Sequence, residues 1–250
     1  MPQTYKDIYR IFETPLTLAR AFALEFKKIT DELISENGNI NIALSGGNTP
    51  KLLYSILAEE YIDKILWSKI NFYWADERCV PPESSESNYG EADRILFRKI
   101  NLYENVHRII GENDPSAEAE RYSALLKHNL PLENNFPKFD LMLLGTGEDG
   151  HTASIFPDRM DLLKSEKYCE TAVHPESNQK RITLTGKVIN NSDKIYFLVT
   201  GKNKEHVVKI ISERKEDSLM YPAGKIRQKN GDVNWFLDQD AAGLIMDKVF

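Results

Sequence analysis

Residues 40–61 read INIALSGGNTPKLLYSILAEEY and carry the pattern that decides the fold class. The apolar run Ile40–Leu44 ends at a glycine pair, which predicts a buried strand. Pro50 has no N–H group and suits the first turn of a helix, so a helix is predicted to start there. A strand followed closely by a helix is the repeating unit of a parallel α/β sheet.

The same alternation continues in both directions from this stretch. Upstream, Thr14 can cap a long helix that starts at Pro15 and ends at Asn37 and Gly38. Downstream, the patterns predict strands at 70–74, 139–144 and 195–200, and helices at 88–100, 115–129 and 204–213. This predicts a three-layer α/β fold, with a parallel sheet covered by helices on both faces. Segments 168–173 and 181–184 resemble strands without a long helix between them, which predicts a small antiparallel addition.

Length and composition limit the number of domains, the partners and the compartment that can be expected. A chain of 250 residues predicts one domain, 1–250, that needs no disulfide to hold its core. The 32 Lys and Arg against 38 Asp and Glu give a net charge of −6, which argues against a nucleic-acid partner. The two cysteines, the lack of a signal-peptide core and the lack of a membrane-length apolar run predict a cytoplasmic protein with no membrane partner. Monomer and homodimer both stay open.

The loop Ser45–Pro50 after the first quoted strand predicts an anion site. Gly46 and Gly47 permit close approach of the backbone to a ligand, and Thr49 adds a hydroxyl near a helix N-terminus. The alternative is a glycine-permitted turn in which Thr49 only caps the helix. A nucleotide P-loop is excluded because no Gly-Lys-Ser/Thr follows.

A second unusual loop, WADERCVPPESSESNYG, spans residues 74–90. Asp76, Glu77 and Arg78 follow a buried strand directly, where charges need partners. One interpretation is a solvated strand end with local ion pairs; the other places Arg78 over an anionic substrate oxygen and Asp76 near the reacting centre. The proline- and serine-rich part has the length of an active-site lid. Asn88 is predicted to cap the helix that follows.

The third loop, LLGTGEDGHTASIFP at 143–157, is the most informative. Its three glycines match the G-x-G-x-x-G dinucleotide pattern, but Pro157 leaves too little helix after it for that fingerprint. His151 is suited to proton transfer near neutral pH, and Asp149 could orient its ring. The alternative is a structural histidine. Trp235 and Phe236 are expected in the core.

In this order, the motifs SGGNTP, WADERCVPPESSESNYG and LGTGEDGHTASIFP resemble the 6-phosphogluconolactonase family. RITLT, TGKNK and YPAGKIRQKNGDVNWFLDQDAA extend the resemblance from about 44 to 242, with a departure at Gln228, where the family usually has proline. The resemblance implies a Rossmann-like fold and hydrolysis of 6-phospho-D-glucono-1,5-lactone to 6-phosphogluconate, the second step of the oxidative pentose phosphate pathway.

Two other functions stay open beside that resemblance. The amino-sugar-phosphate deaminases share the first and third loops, but they typically have Asp-Glu-Tyr where this chain has Asp76, Glu77 and Arg78. Their ring-opening glutamate has no counterpart after His151. A catalytically silent sugar-phosphate sensor would keep the phosphate loop and lose the acid–base residue.

The resemblance also implies roles for individual residues. His151 is the general base, Arg78 stabilises the oxyanion or clamps the substrate, and Asp76 and Asp149 position water or the histidine. The phosphate ligands are Ser45, Gly46, Gly47, Thr49 and Lys204, with Arg181 as a second cation. Neither a metal nor a redox cofactor is expected, since no metal-ligand spacing occurs in the sequence. The expected partner is a small phosphosugar lactone.

Overall fold

A computed structural model of the protein describes residues 6–213, 220–228 and 231–246. Its centre is a sheet of six parallel strands. In their order across the sheet these are β1 (Asp7–Phe12), β11 (Val233–Asp238), β10 (Ile195–Val199), β7 (Leu141–Leu144), β2 (Ile40–Leu44) and β3 (Ile70–Trp74). Every residue of β7 and β10 is buried, so both faces of the sheet centre are covered. The predicted three-layer α/β fold is confirmed.

The helices pack around this sheet, and those that were predicted begin and end close to the predicted positions. The helices are α1 (Pro15–Asn37), α2 (Asn48–Glu60), α3 (Asn88–Ala92), α4 (Arg98–Ile100), α5 (Pro115–Asn129), α6 (Gly186–Asn190), α7 (Glu205–Glu213), α8 (Pro222–Lys225) and α9 (Gln239–Ala242). Of these, α6, α8 and α9 were not predicted. A π-helical turn, Asp93–Phe97, joins α3 to α4, so 88–100 is continuously helical. Thr14 caps α1 through the amide of Thr17, as predicted.

The starts of α2 and α3 differ from the sequence analysis. At α3 the predicted cap is wrong, because the side chain of Ser87, and not that of Asn88, accepts the hydrogen bond from Gly90 N. Helix α2 begins at Asn48, two residues before Pro50, and no side chain caps it. The alternative in which Thr49 caps this helix is therefore wrong, and its hydroxyl pairs with that of Thr200, at 2.8 Å.

The predicted antiparallel addition is present and larger than expected. Strands β8 (Cys169–Val173) and β9 (Lys180–Leu184) pair antiparallel, and β4 (Asp76–Arg78) joins the other side of β9. The charged residues predicted at a strand end therefore form a strand of their own, with Arg78 opposite Arg181. A short hairpin of two strands with two residues each, β5 (Leu132–Glu133) and β6 (Phe136–Pro137), completes the strands in the described residues.

The sequence analysis did not predict β1 and β11, which pair along one edge of the sheet. Trp235 and Phe236 lie on β11 and are buried, as expected for core residues. Gln228 accepts a hydrogen bond from the amide of Ile195, the first residue of β10. The departure from the family pattern therefore lies at the opposite end of that strand from the loop that follows Val199. Its neighbours Lys229 and Asn230 lie outside the described residues. No helix in the described part of the chain has the length and hydrophobicity to cross a membrane.

Candidate active site

The loops that follow β2, β3, β7 and β10 meet at the carboxyl edge of the parallel sheet, where ligand sites of open α/β folds lie. They enclose a cavity of about 320 Å³. All the predicted site residues except Asp149 line it: Ser45, Gly46, Gly47, Thr49, Asp76, Arg78, His151, Arg181 and Lys204. A larger cavity of about 710 Å³ between α5 and β8 contains none of them. Within the described ranges, no three His, Cys, Asp or Glu side chains cluster as a metal site.

Asp149 stands behind His151 and holds its ring. Asp149 Oδ1 lies 2.6 Å from His151 Nδ1 and also accepts a hydrogen bond from the backbone N of His151. Burial raises the pKa of Asp149, but the hydrogen bond and charge of His151 outweigh it, and the pKa is lowered overall. An ionised carboxylate accepts only, so Nδ1 carries the proton and Nε2 of the neutral ring is an acceptor.

Two arginines stand side by side in the cavity wall, at paired positions of β4 and β9. The Nε atoms of Arg78 and Arg181 are each buried without a hydrogen-bond partner among the described residues. Burial, and then the charge of Arg78, lower the pKa of Arg181. Arg78 forms no ion pair within the described residues, as the interpretation with local ion pairs would require; its Nη1 donates to the carbonyl of Glu86 at 2.6 Å. Two adjacent guanidinium groups with unused donors form a site for an anion.

The first loop and Lys204 border the same cavity. The hydroxyl of Ser45 donates to the carbonyl of Leu143 at 2.8 Å, and that of Thr49 is engaged by Thr200. The groups left for a ligand are the backbone N–H groups at the uncapped N-terminus of α2. Lys204 is partly buried, which lowers its pKa, against the opposing effect of Glu148 and Asp149.

Comparison with known proteins agrees with this geometry. Residues 13–235 match the family model described as glucosamine-6-phosphate isomerases/6-phosphogluconolactonase. This chain belongs to that family.

Curated relatives are similar to this family member over most of its length. The 6-phosphogluconolactonase of Haemophilus influenzae is 44% identical over 84% of this chain and 89% of the relative. That of Aggregatibacter actinomycetemcomitans is 42% identical over 88% of this chain and 94% of the relative. The solved 6-phosphogluconolactonase of Trypanosoma brucei superposes with a TM-score of 0.84 at 28% identity, covering 97% of this chain and all of the other.

In this glucosamine-6-phosphate isomerase/6-phosphogluconolactonase family member, the sequence analysis missed two residues of the site. Ser154 is fully buried and donates from its hydroxyl to Asp76 Oδ2 at 2.6 Å. Asn88 lines the cavity and donates from Nδ2 to the backbone carbonyl of Asp76 at 3.0 Å. A Cβ at Gly46 would lie 1.8 Å from Asn88 Oδ1, so the glycine leaves room for the amide. The only signal in the sequence was their position within the unusual loops.

The structure also shows why the G-x-G-x-x-G pattern of residues 145–150 does not form a dinucleotide site in this family member. After Gly150 the chain forms a bridge between Thr152 and Ile155, and then a 3-10 helix, Pro157–Leu163. No helix follows the glycines directly, so the fingerprint is incomplete, as predicted. Gly147 lies against the His151–Asp149 pair. A Cβ there would be 2.2 Å from His151 Nδ1 and 2.3 Å from Asp149 Oδ1.

We expect Gly147→Ala to lower kcat/KM about tenfold or more, because its methyl group displaces the His151–Asp149 pair. Thermal stability should change little, since the displaced atoms are side-chain atoms and the φ of Gly147 is not positive. Steady-state kinetics and thermal unfolding of the variant test this, and unchanged activity would contradict it.

Proposed function

We propose that this protein hydrolyses 6-phospho-D-glucono-1,5-lactone to 6-phosphogluconate. The observation that carries the proposal is a histidine, oriented by an aspartate behind it, that shares one cavity with two arginines whose buried Nε donors are unused. The family and the 6-phosphogluconolactonase relatives support the same reaction. The proposed partner is therefore a phosphorylated sugar lactone, in the second step of the oxidative pentose phosphate pathway.

His151 is the proposed general base. Its Nδ1 proton is held by Asp149, so Nε2 can take a proton from water as the water attacks the lactone carbonyl. The same nitrogen then returns a proton to the ring oxygen when the ester bond breaks. Asp149 keeps the ring in the required tautomer and orientation, and Asp76, held by Ser154, helps to position the water.

Cations supply the proposed charge stabilisation. Arg78 stabilises the negative oxygen that develops on the carbonyl, since a fixed guanidinium in a partly buried cavity acts strongly on nearby charge. Arg181, Lys204 and the backbone N–H groups of residues 45–49 hold the phosphate. Binding the phosphate away from the reacting carbonyl fixes the lactone against His151.

The deaminases share this fold and family, so only the residues of the site can distinguish a lactonase from a deaminase. Of the described Asp and Glu side chains, Asp76 alone lines the cavity, which leaves no glutamate there to assist ring opening. The sensor alternative is disfavoured because His151 and Arg78 are both present in the cavity with acid–base and anion-binding geometry.

The direct test is acid release from freshly generated phosphorylated lactone, measured against spontaneous hydrolysis. Enzyme-dependent acid release is the expected result. A rate equal to the spontaneous one would contradict the proposal, and release of ammonia from glucosamine 6-phosphate would assign the deaminase activity instead.

We expect Arg78→Lys to fold normally and to lower kcat about tenfold, with a smaller change in KM. Lysine keeps the charge but loses the planar fork that holds two oxygens in fixed geometry. Steady-state hydrolysis and thermal unfolding of the same variant provide the measurement. Unchanged kinetics would make Arg78 a structural residue. Arg98→Lys is a matched control, because Arg98 pairs with Asp93 on the π-helical segment and does not line the cavity.

We also propose that the whole chain acts as one domain in the cytoplasm. Strands from its two ends pair with each other, β1 with β11, so neither end folds as a separate unit. The two cysteines are both unpaired, which suits a reducing compartment.

A further inference from the structure

Glu77 is a buried carboxylate that the reaction as described does not use. It is 1% exposed and lies on β4 between two residues of the cavity wall, Asp76 and Arg78. Burying a carboxylate is costly unless hydrogen bonds satisfy it. No ion pair with Glu77 occurs in the described part of the chain, and its hydrogen bonds come from neutral donors.

These bonds join two segments that are about ten residues apart. Glu77 Oε1 accepts from the backbone N of Arg78 at 2.7 Å and from that of Asn88 at 2.8 Å. Glu77 Oε2 accepts from the hydroxyl of Ser87 at 3.1 Å and from the backbone N of Tyr89 at 2.8 Å. The carboxylate therefore ties β4 to the start of the helix at 88–100 and closes the loop between them.

One oxygen atom thus fixes the backbone of two residues whose side chains line the cavity. Arg78 and Asn88 both depend on Oε1, and Asn88 in turn donates to the carbonyl of Asp76. An error of about 1 Å in placing such groups is costly to catalysis even when the fold is intact.

We propose that Glu77 is the positioning residue of this site: through Oε1 it sets where Arg78 and Asn88 stand against the substrate. This inference rests on the proposed lactonase function. Glu77 acts through the length of its side chain, because the carboxylate has to reach both β4 and the start of the helix. Glu77 itself does not have to contact the substrate.

Two conservative variants separate length from charge. Glu77→Asp keeps the charge but is one methylene shorter, so it cannot reach both segments; we expect kcat/KM to fall about tenfold. Glu77→Gln cannot ionise but keeps the length and one carbonyl oxygen for Arg78 N and Asn88 N. Its amide nitrogen replaces Oε2, so Tyr89 N loses its acceptor; we expect a lower melting temperature and a loss in kcat/KM of at most about threefold. A larger loss in Glu77→Gln than in Glu77→Asp would overturn the proposal.

A double-mutant cycle tests whether Glu77 acts through Arg78. In an Arg78→Ala background, Glu77→Asp should lower kcat/KM by less than about threefold, since Asn88 alone remains to be displaced. Glu77→Asp alone should also change kcat and KM in the same proportions as Arg78→Ala does. Equal losses in the two backgrounds would mean that Glu77 only supports the fold. If Glu77→Asp does not fold, Glu77→Gln carries the test in its place: a loss in kcat/KM well above about threefold in a folded Glu77→Gln protein would overturn the proposal.

Ser87→Ala is the control for simple destabilisation. It removes the helix cap and one bond to Oε2 but leaves Oε1 in place. We expect a lower melting temperature with kcat/KM within about twofold of the unmodified protein. A loss matching that of Glu77→Asp would overturn the assignment to Oε1. Failure of the unmodified protein to hydrolyse the lactone would instead reject the proposed function before any variant is compared.

Discussion

Replacing His151 by glutamine should lower kcat by at least about 10²-fold, the low end for loss of a general acid–base group. Glutamine has similar reach but cannot accept and return a proton near neutral pH. Binding of 6-phosphogluconate should survive, because the arginines, Lys204 and the first loop are unchanged. Steady-state hydrolysis and product binding by calorimetry measure the two effects separately.

His174→Gln is the matched control for that variant. The rings of His151 and His174 both lie against Phe156, with centroid distances of 4.9 Å and 5.2 Å. His174 does not line the cavity, and its Nδ1 accepts from the backbone N of Glu176 and Ser177. Its replacement should leave kcat within about twofold, as for a residue outside the site. Near-normal turnover in His151→Gln would remove His151 from the mechanism.

Removing the phosphate from the substrate should have an effect of similar size. We expect kcat/KM for unphosphorylated gluconolactone to be at least about 10²-fold lower, since two lost charge-assisted hydrogen bonds are each worth about 1.5–3 kcal/mol. The loss should appear in both kcat and KM, because phosphate binding also orients the lactone. Comparable values for the two lactones would contradict the phosphate assignment.

Variants of Lys204 test whether Lys204 contributes to the discrimination between the two lactones. Lys204→Ala should weaken hydrolysis of the phosphorylated lactone and leave the unphosphorylated one nearly unchanged. Lys202→Ala is the control from the same 3-10 turn, because Lys202 pairs with Glu205 and does not line the cavity. An equal effect of Lys204→Ala on both lactones would place Lys204 outside the phosphate site.

Much of the fold followed from local patterns. The apolar runs at 40–44 and 70–74 form strands, and Thr14 and Pro15 start α1. Both features could be predicted because apolar runs and helix caps involve only residues close together in the sequence. The pairing of β1 with β11 was not predicted. Strand β1 lies at the edge of the sheet and is only partly buried, so it lacks the continuous apolar run that marked the other strands. Its partner lies more than 200 residues away along the chain, as the bond from Lys6 N to Asp232, 226 residues apart, shows.

The candidate site was predictable to a similar degree. His151 and Arg78 were identifiable because their residue types suit proton transfer and anion binding in glycine-rich or charged loops. Ser154 and Asn88 were not, because a buried serine and a buried asparagine look like any loop residue until their partner is known. That partner, Asp76, is 78 residues from Ser154.

By itself the sequence determined most of the sheet's strands and its long helices, the three chemically unusual loops and the side chains that they carry. Each of these depends on neighbours within a few residues. The tertiary structure alone decided that β4 pairs with β9, which places Arg78 opposite Arg181, and that the hydroxyls of Thr49 and Thr200, 151 residues apart, bond to each other. It also decided that Glu77 holds the start of a helix. Such contacts follow from the order of strands in the sheet, which packing of the whole chain sets and no local pattern encodes.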